Sequence, residues 1–326
     1  MNRKIVGAMI GLAGVLTLVS LAFVLPMKHS GAHDLPIGVA GPAAATAHIE
    51  TQLRAQPEDA FDFHRYDSAD DVRNGIEERE IVGGIAVETT GPTMFVTSAG
   101  GAQVAQTLRG VATAMSAASS TPVAVEDVVP TTTDDPQGAG IAGLALPLVL
   151  GGIIPAVVFG RLLPGKFLRQ GGAAVGMAVL TGFALGLILR FGVGTIDSNV
   201  IAVSLGIALG MSAISLTLLG LAGNFGMIGF GAGAVIMMIV GNPLSGIATT
   251  AYWLPSGWAE LGQLLPPGAS GTLLRSLAFF GGHGGGSAFI VLLVWSVAGT
   301  GLLALAQKRS PAGAAETSGV RTAADA

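Results

Sequence analysis

Two kinds of pattern alternate along this chain: long uncharged apolar runs, and one block in which short apolar stretches are separated by polar turns. Ile5 to Met27 carries no charge, and about 20 such residues suffice for a helix to cross a bilayer. This core is longer than the apolar region of a signal peptide, so it reads as an uncleaved span. Further apolar runs predict spans at about 139–159, 171–189, 200–221, 225–240 and 287–306. No charged residue occurs from Ser198 to Ala259, too long a run for one crossing, and Gly223-Asn224 divides it in two.

The polar-patterned block, residues 35–130, has the periodicities of a small α/β domain. Leu35–Ala40 is a short apolar strand, turned by Gly41-Pro42 into a helix over 43–55. Phe61–Tyr66 alternates as a half-buried strand does. Ser68 is placed to N-cap the next helix, with Asp70 and Asp71 at its positive dipole end. Strands follow at 81–87 and 93–97, then an Ala-rich helix at 102–118 and a strand at 123–129. Gly83-Gly84 marks a bulge or a close approach. This β-α-β-α-β-β-α-β order predicts a mixed sheet with helices against it, and residues 130–137 read as a polar linker to the membrane block.

Composition agrees. Hydrophobic residues make up 51% and charged ones 11% of 326 residues, about half the charged share of a soluble domain. The net charge of −4 conceals an asymmetry: residues 28–137 hold 16 acids and 6 bases, the remainder 4 acids and 10 bases. An acidic block is a poor partner for nucleic acid. The absence of cysteine excludes disulfides and thiolate chemistry. Basic residues set orientation. Arg3 and Lys4, then Arg161, Lys166 and Arg169, then Lys308 and Arg309 all fall on one side of a six-span chain, hence the cytoplasm. The expected fold is a polytopic α-helical membrane protein with six spans (1+5) and an extracytoplasmic α/β domain between spans one and two. Its parts are an anchor (1–27), the acidic domain and linker (28–137), a five-span domain (138–306) and a disordered cytoplasmic tail (307–326). Both termini are then cytoplasmic, in the plasma membrane.

Motifs for bond-breaking chemistry are missing. Gly160-Arg161-Leu162-Leu163-Pro164-Gly165-Lys166-Phe167 nearly spells a P-loop, but Phe167 stands where Mg²⁺ needs Ser or Thr, and no strand precedes it. No ionisable residue sits in the middle of a span, which argues against ion-coupled carriers and intramembrane metalloproteases. His29 and His33, four apart, belong to a juxtamembrane loop, and His283 to a Gly-rich connector. Gly182-x-x-x-Gly186, Gly206-x-x-x-Gly210 and Gly229-x-x-x-Gly233 allow close helix approach, either within the chain or at a dimer face.

The densest helix-breaking stretch is Gly241–Arg275, where the chain must break, dip or lie flat. Tyr252, Trp253 and Trp258 suit an interfacial belt. From Ser256, the positions Trp258, Leu261, Leu264 and Leu265 form one side of a short amphipathic helix, with Glu260 and Gln263 opposite. Pro266-Pro267-Gly268 is expected to end it, and Thr272–Phe280 to form a second short helix. There Arg275 would meet a lipid phosphate or a carboxylate.

With one span, an α/β domain and five further spans, the chain resembles ABC-2-type export permeases of the phage-infection-protein-like branch. The stretch Tyr66-Asp67-Ser68-Ala69-Asp70-Asp71 through Glu78-Arg79-Glu80-Ile81-Val82-Gly83-Gly84-Ile85 is similar to that family's strand–helix–strand. Asn242-Pro243-Leu244-Ser245-Gly246, Leu254-Pro255, Trp258, Leu265-Pro266-Pro267 and Leu274-Arg275-Ser276 are similar to its break before the last span. The chain departs from the pattern in one respect: only four residues precede its first apolar run, where many such permeases carry an interfacial helix. The resemblance implies a non-enzymatic permease subunit that exports an amphipathic, lipid-like or small hydrophobic substrate. ATP would be used only on a separate ATPase, contacted through Arg161, Lys166 and Arg169. Two copies, identical or not, would pair. Asn242, Pro243, Gly246, Pro255, Trp258, Pro266, Pro267 and Arg275 would form an outer gate. The competing expectation is a membrane-anchored envelope binding or scaffold protein acting through the α/β domain.

Overall fold

The structure is a computed structural model that describes residues 3–28, 31–54, 60–119, 121–255 and 257–310. Helix α1 (Arg3–Lys28) leads into the α/β domain: β1 (Leu35–Ala40), α2 (Ala43–Arg54), β2 (Phe61–Tyr66), α3 (Ala69–Glu77), β3 (Gly83–Glu88), β4 (Gly91–Val96), α4 (Ala102–Ser119) and β5 (Ala124–Asp127). The sheet order is β2-β1-β3-β4-β5. β1 runs parallel to β2 and β3, β3 and β4 form an antiparallel hairpin, and β4 and β5 are parallel.

Each sheet face takes its helices where alternation delivers apolar side chains. On one face Leu35, Ile37, Val39, Ile85, Met94 and Val96 pack with Ile49 and Leu53 of α2 and with Val104, Leu108 and Ala112 of α4. On the other, Ala40, Ala86 and Phe95 meet Val72 and Ile76 of α3. Gly83-Gly84 is a two-sided close approach. Gly83 lies against Leu108 of α4, and a methyl on Gly84 would stand 2.6 Å from Val72 Cγ1 of α3. Ser68 caps α3 as its position predicts, its Oγ accepting from Asp71 N at 3.1 Å.

Arg73 fastens the edge strand. Its guanidinium lies 4.8 Å from the Phe95 ring centre and donates to both Glu126 oxygens, at 2.8 and 3.0 Å. That pairing holds the Glu126 carboxyl below its ordinary range. A depressed carboxylate adds stability above its unfolded pKa and loses it as pH falls through the folded one. At this partly exposed site, discounted for solvent screening, the pair is worth about 1 kcal/mol or less. Arg73→Leu is expected to lower the melting temperature of the full chain at pH 7. The gap from the unmutated protein should close as pH falls below the ordinary carboxylate range. A gap of constant size would show that packing, not charge, supplies the effect.

Beyond the domain follow α5 (Ala139–Gly143), α6 (Ala145–Leu162), α7 (Phe167–Leu187), α8 (Val200–Val235), α9 (Trp258–Gln263), α10 (Pro266–Phe279) and α11 (Gly286–Arg309). Four helical runs among the described residues are long and apolar enough to cross a membrane: Ala139–Leu162, Phe167–Val193, Val200–Gly241 and Gly286–Arg309. The third is 42 residues long, which would reach about 63 Å if straight. It is not straight. Gly226 has φ 63° and ψ −152°, outside helical space and open to residues without a Cβ. A methyl on Gly233 would lie 2.7 Å from Leu218 Cδ2, and one on Gly229 2.6 Å from the Leu221 carbonyl. Met237 shares a core with Ile214 and Leu218. These contacts require a hairpin, with its apex just past the division expected at Gly223-Asn224.

The first arm of that hairpin is the bundle's centre, buried almost without a break from Val203 to Gly220. All three Gly-x-x-x-Gly pairs are occupied within the chain. Gly182 and Gly186 lie against Ser204, Gly206 and Gly210 against α10, and Gly229 and Gly233 against the opposite arm. Because each glycine contributes no side chain there, neighbouring elements pack close against its backbone.

The two ends of the bundle differ. At the hairpin apex, Asn224 Nδ2 donates to Gly220 O at 2.9 Å and Leu302 O at 2.8 Å, and Arg309 donates to Asn224 Oδ1. The turn 163–166 between α6 and α7 lies at this end, with Phe167 against Gly223. Arg161 sits in the last turn of α6, and Lys166 and Arg169 at the start of α7, all exposed. The near-P-loop is thus a helix end and a turn, with no strand before it. The α/β domain occupies the other end. Helix α11 continues through Arg309, so 307–309 are helical and not part of an irregular tail; 311–326 lie outside the described residues.

Candidate functional site at the junction of domain and bundle

Between Gly241 and Gly286 the chain makes a compact, broken return. A π-helical turn (Ile236–Gly241) gives way to 3₁₀ turns at Pro243–Ser245 and Ala251–Trp253, then α9 and α10. The sequence expectation needs one correction. Pro266-Pro267 ends α9 and also starts α10 six residues before Thr272. Proline is suited to the first helical positions, where its missing N–H has no partner to lose and its φ is already helical. The predicted start of α9, Ser256, lies outside the described residues.

The break dips into the bundle. Trp295, nine residues into α11, donates Nε1–H to Leu264 O at 2.9 Å, which places the α9–α10 junction beside the second to third turn of α11. From there α10 climbs back antiparallel to the first arm of α8, with Ser270 against Gly210 and Leu274 against Gly206. Such a fold buries backbone groups, and each must find a partner. Gln263 serves two elements: its Nε2 donates to Ser245 O at 3.2 Å and its Oε1 accepts from Thr272 Oγ1 at 2.6 Å. The α9 side chains Trp258 and Leu261 are 41% and 49% exposed, apolar groups turned away from the protein.

The α/β domain is docked on this break. Trp253 packs against the domain core, and its carbonyl accepts from Gly31 N at 3.2 Å. Gly101 lies against Thr250. The 130–137 segment is a clamp, not a free linker. Asp135 is 5% exposed and accepts from Ala139 N at 2.7 Å, Gly140 N at 2.8 Å and Thr195 Oγ1 at 2.7 Å. Thr132 Oγ1 donates to Gly194 O at 2.6 Å.

Arg79 reaches from the domain into the bundle. It follows α3 with φ 63°, a left-handed conformation uncommon for a residue with a side chain. Its Nη1 donates to Thr272 O at 3.3 Å, and its guanidinium lies 5.0 Å from the Phe280 ring centre. Burial lowers its pKa. Arg275 approaches from α10, its Nη2 donating to Ile247 O and Thr249 O, each at 3.3 Å. It therefore meets backbone carbonyls where a lipid phosphate or a carboxylate was expected. Burial, with the nearby Arg79 charge adding to it, brings Arg275 down to about 10, still well above neutrality, so its guanidinium keeps its charge. Tyr252 is pushed up by burial, an effect that Arg79 opposes.

These groups surround a cavity of about 520 Å³. Arg79, Thr97 and Val82 come from the domain, Tyr252, Gln263, Thr272 and Arg275 from the break, and Ala288 and Val291 from α11. Of the residues expected to form a gate, Arg275 alone lines it. Asn242, Pro243, Gly246, Pro255, Trp258, Pro266 and Pro267 shape the return of the chain around it, Gly246 by its φ of 61° and the buried prolines by starting α10. Arg161, Lys166 and Arg169 are at the opposite end. The sequence pattern marks Gln263 only as the polar side of α9 and Thr272 only as a helix start, and gives no contact for Arg79 or Asp135. A single signal was available: an Asp four residues before an apolar helix is within reach of its free N–H groups. Among the described residues no three His, Asp or Glu side chains converge as metal ligands. His33 turns onto Gly31 O, and His29 lies outside the described residues. No protein-family profile matches the chain, and no curated protein or solved structure matches it significantly.

Proposed function

We propose that this chain is the membrane subunit of an ABC-2-type exporter, moving an amphipathic substrate outward with energy from a separate ATPase. The observation that carries this reading is the broken return between hairpin and last helix, which dips into the bundle and meets the α/β domain around a cavity. Irregular backbone at such depth is tolerated where it is buried in protein or lines a cavity, and a substrate path needs such a cavity. On this reading α1 and the two hairpin arms each cross the bilayer, making six spans. The basic end faces the cytoplasm, in keeping with the positive-inside rule. Apart from Asp197 and Glu260, no Asp or Glu occurs in residues 138–310, and both belong to the domain-side end. The apex end therefore offers Arg161, Lys166 and Arg169 as a purely cationic surface for an ATPase.

Reversing two of these charges, Lys166→Glu with Arg169→Glu, is expected to abolish co-purification of an ATPase and lower export at least tenfold, with expression unchanged. Both side chains are exposed, so the fold should tolerate the change. Retention of both the complex and export would overturn the ATPase assignment. Loss of function on removing residues 35–130, with the spans insensitive to substitution, would favour the envelope-binding reading.

A further inference from the structure

The cavity at the junction combines features that a simple packing defect would lack. Two guanidinium groups from different structural units line it, and among the described residues neither forms an ion pair. Carboxylates of Asp34 and Glu260 belong to the same wall, yet among the described residues the ion pairs include neither Arg79 nor Arg275. Each guanidinium carries five N–H donors in a planar fork. Arg275 uses only Nη2, on two carbonyls at 3.3 Å, and Arg79 only Nη1, on one carbonyl at 3.3 Å. An anion entering the cavity can take up the remaining donors in charge-assisted hydrogen bonds. The lining also includes apolar side chains, among them Leu254, Leu264, Ala288 and Val291. The volume of about 520 Å³ falls in the range of small-molecule sites.

We infer that this cavity binds an anionic amphiphile, a phosphate or carboxylate head group on a hydrocarbon chain, with Arg79 and Arg275 holding the head group and the Leu264–Val291 wall taking the chain. The inference deepens the export reading and rests on it only in making the ligand the transported substrate; the binding stands by itself. Because Arg79 belongs to the α/β domain and Arg275 to α10, the head group would bridge the two units.

The test uses the purified full chain in an uncharged detergent, with hexadecyl phosphate as probe, hexadecanol as its neutral counterpart and inorganic phosphate as competitor. The unmutated chain is expected to bind the alkyl phosphate at least tenfold more tightly than the alcohol. Arg275→Gln should lower that affinity about tenfold and Arg275→Lys less. Val291→Trp, which leaves both arginines in place, should block the probe by filling the apolar side. Equal binding of alcohol and phosphate, or undiminished binding in both Arg275→Gln and Val291→Trp, would overturn the inference. So would inorganic phosphate competing as well as the alkyl phosphate, since the site would then serve free anions. Selective binding by a chain that associates with no ATPase would remove the export reading and leave this one intact. Failure of selective binding in a chain that does associate with one would remove this inference alone.

Discussion

Gly299→Val is expected to eliminate most of the folded protein. A methyl at Gly299 would lie 2.6 Å from both Leu216 C and Thr217 N. The obstacle is therefore the backbone of the buried hairpin arm, not the end of a side chain that can swing aside. Gly220 on the facing helix is as tight, at 2.6 Å from Leu302 Cβ and 2.9 Å from Gly299 O. The two helices meet on bare backbone, and valine would have to push the last helix off the centre of the bundle. Overpacking of a dense core costs about 1–3 kcal/mol and occasionally more; with backbone on both sides the upper end applies. Size-exclusion of detergent extracts after heating should show Gly299→Val as aggregate at temperatures where the unmutated chain is monodisperse. Gly301, two residues on, has nothing within 4 Å of a built methyl, so Gly301→Val is the matched control. If both variants behave alike, the close crossing of α8 and α11 is not what holds the bundle.

The second large effect is expected at Asp135. Its carboxylate accepts from two backbone N–H groups at the start of α5 and from the Thr195 hydroxyl, all at 2.7–2.8 Å, while almost wholly buried. Removing it in Asp135→Ala leaves the buried Thr195 hydroxyl and two part-buried N–H groups without their acceptor, and an unsatisfied buried group costs about 1–3 kcal/mol. Partial relaxation of the segment offsets some of this, leaving about 2–4 kcal/mol. The loss is local, since it releases the strap that holds the domain to the bundle without touching either core. Limited proteolysis between residues 130 and 138 should accelerate more than tenfold, while melting of the bundle changes little. Asp135→Asn keeps one carbonyl acceptor and should fall between. Unchanged cleavage in Asp135→Ala would show that the remaining contacts, among them those of Arg79, Trp253 and Thr132, suffice to hold the domain.

How much of this was legible beforehand depends on the range over which each residue acts. The strands and helices of the domain appear at or near their predicted bounds, because alternation, the Ser68 cap and the Gly83-Gly84 pair encode local geometry. The hairpin was legible as a division near Gly223-Asn224. Its true turn at Gly226 was not, since an uncharged run contains several glycines and only packing selects among them. Pro266-Pro267 misled for a related reason: proline stops one helix and starts another with equal ease, and local sequence does not say which. Arg79 stands between Glu78 and Glu80, where a solvent-facing salt link is the natural expectation. Its left-handed backbone turns it into the bundle, a direction no spacing rule encodes. Arg275 stood out in the sequence, but its partners are carbonyls that only the folded return brings within reach.

By itself the sequence determined the apolar segments, the α/β domain with its strand order along the chain and the cationic side chains that gather at one end. These follow from hydropathy, periodicity and residue chemistry, which are properties of neighbours along the chain. Only the tertiary structure decided that the break folds back into the bundle, that all three glycine pairs are used internally, that Asp135 is a buried clamp, and that Arg79 and Arg275 face one cavity from two units. Those outcomes depend on contacts between residues far apart in the chain, where close packing and the need to satisfy every buried polar group choose among arrangements that the local pattern leaves equal.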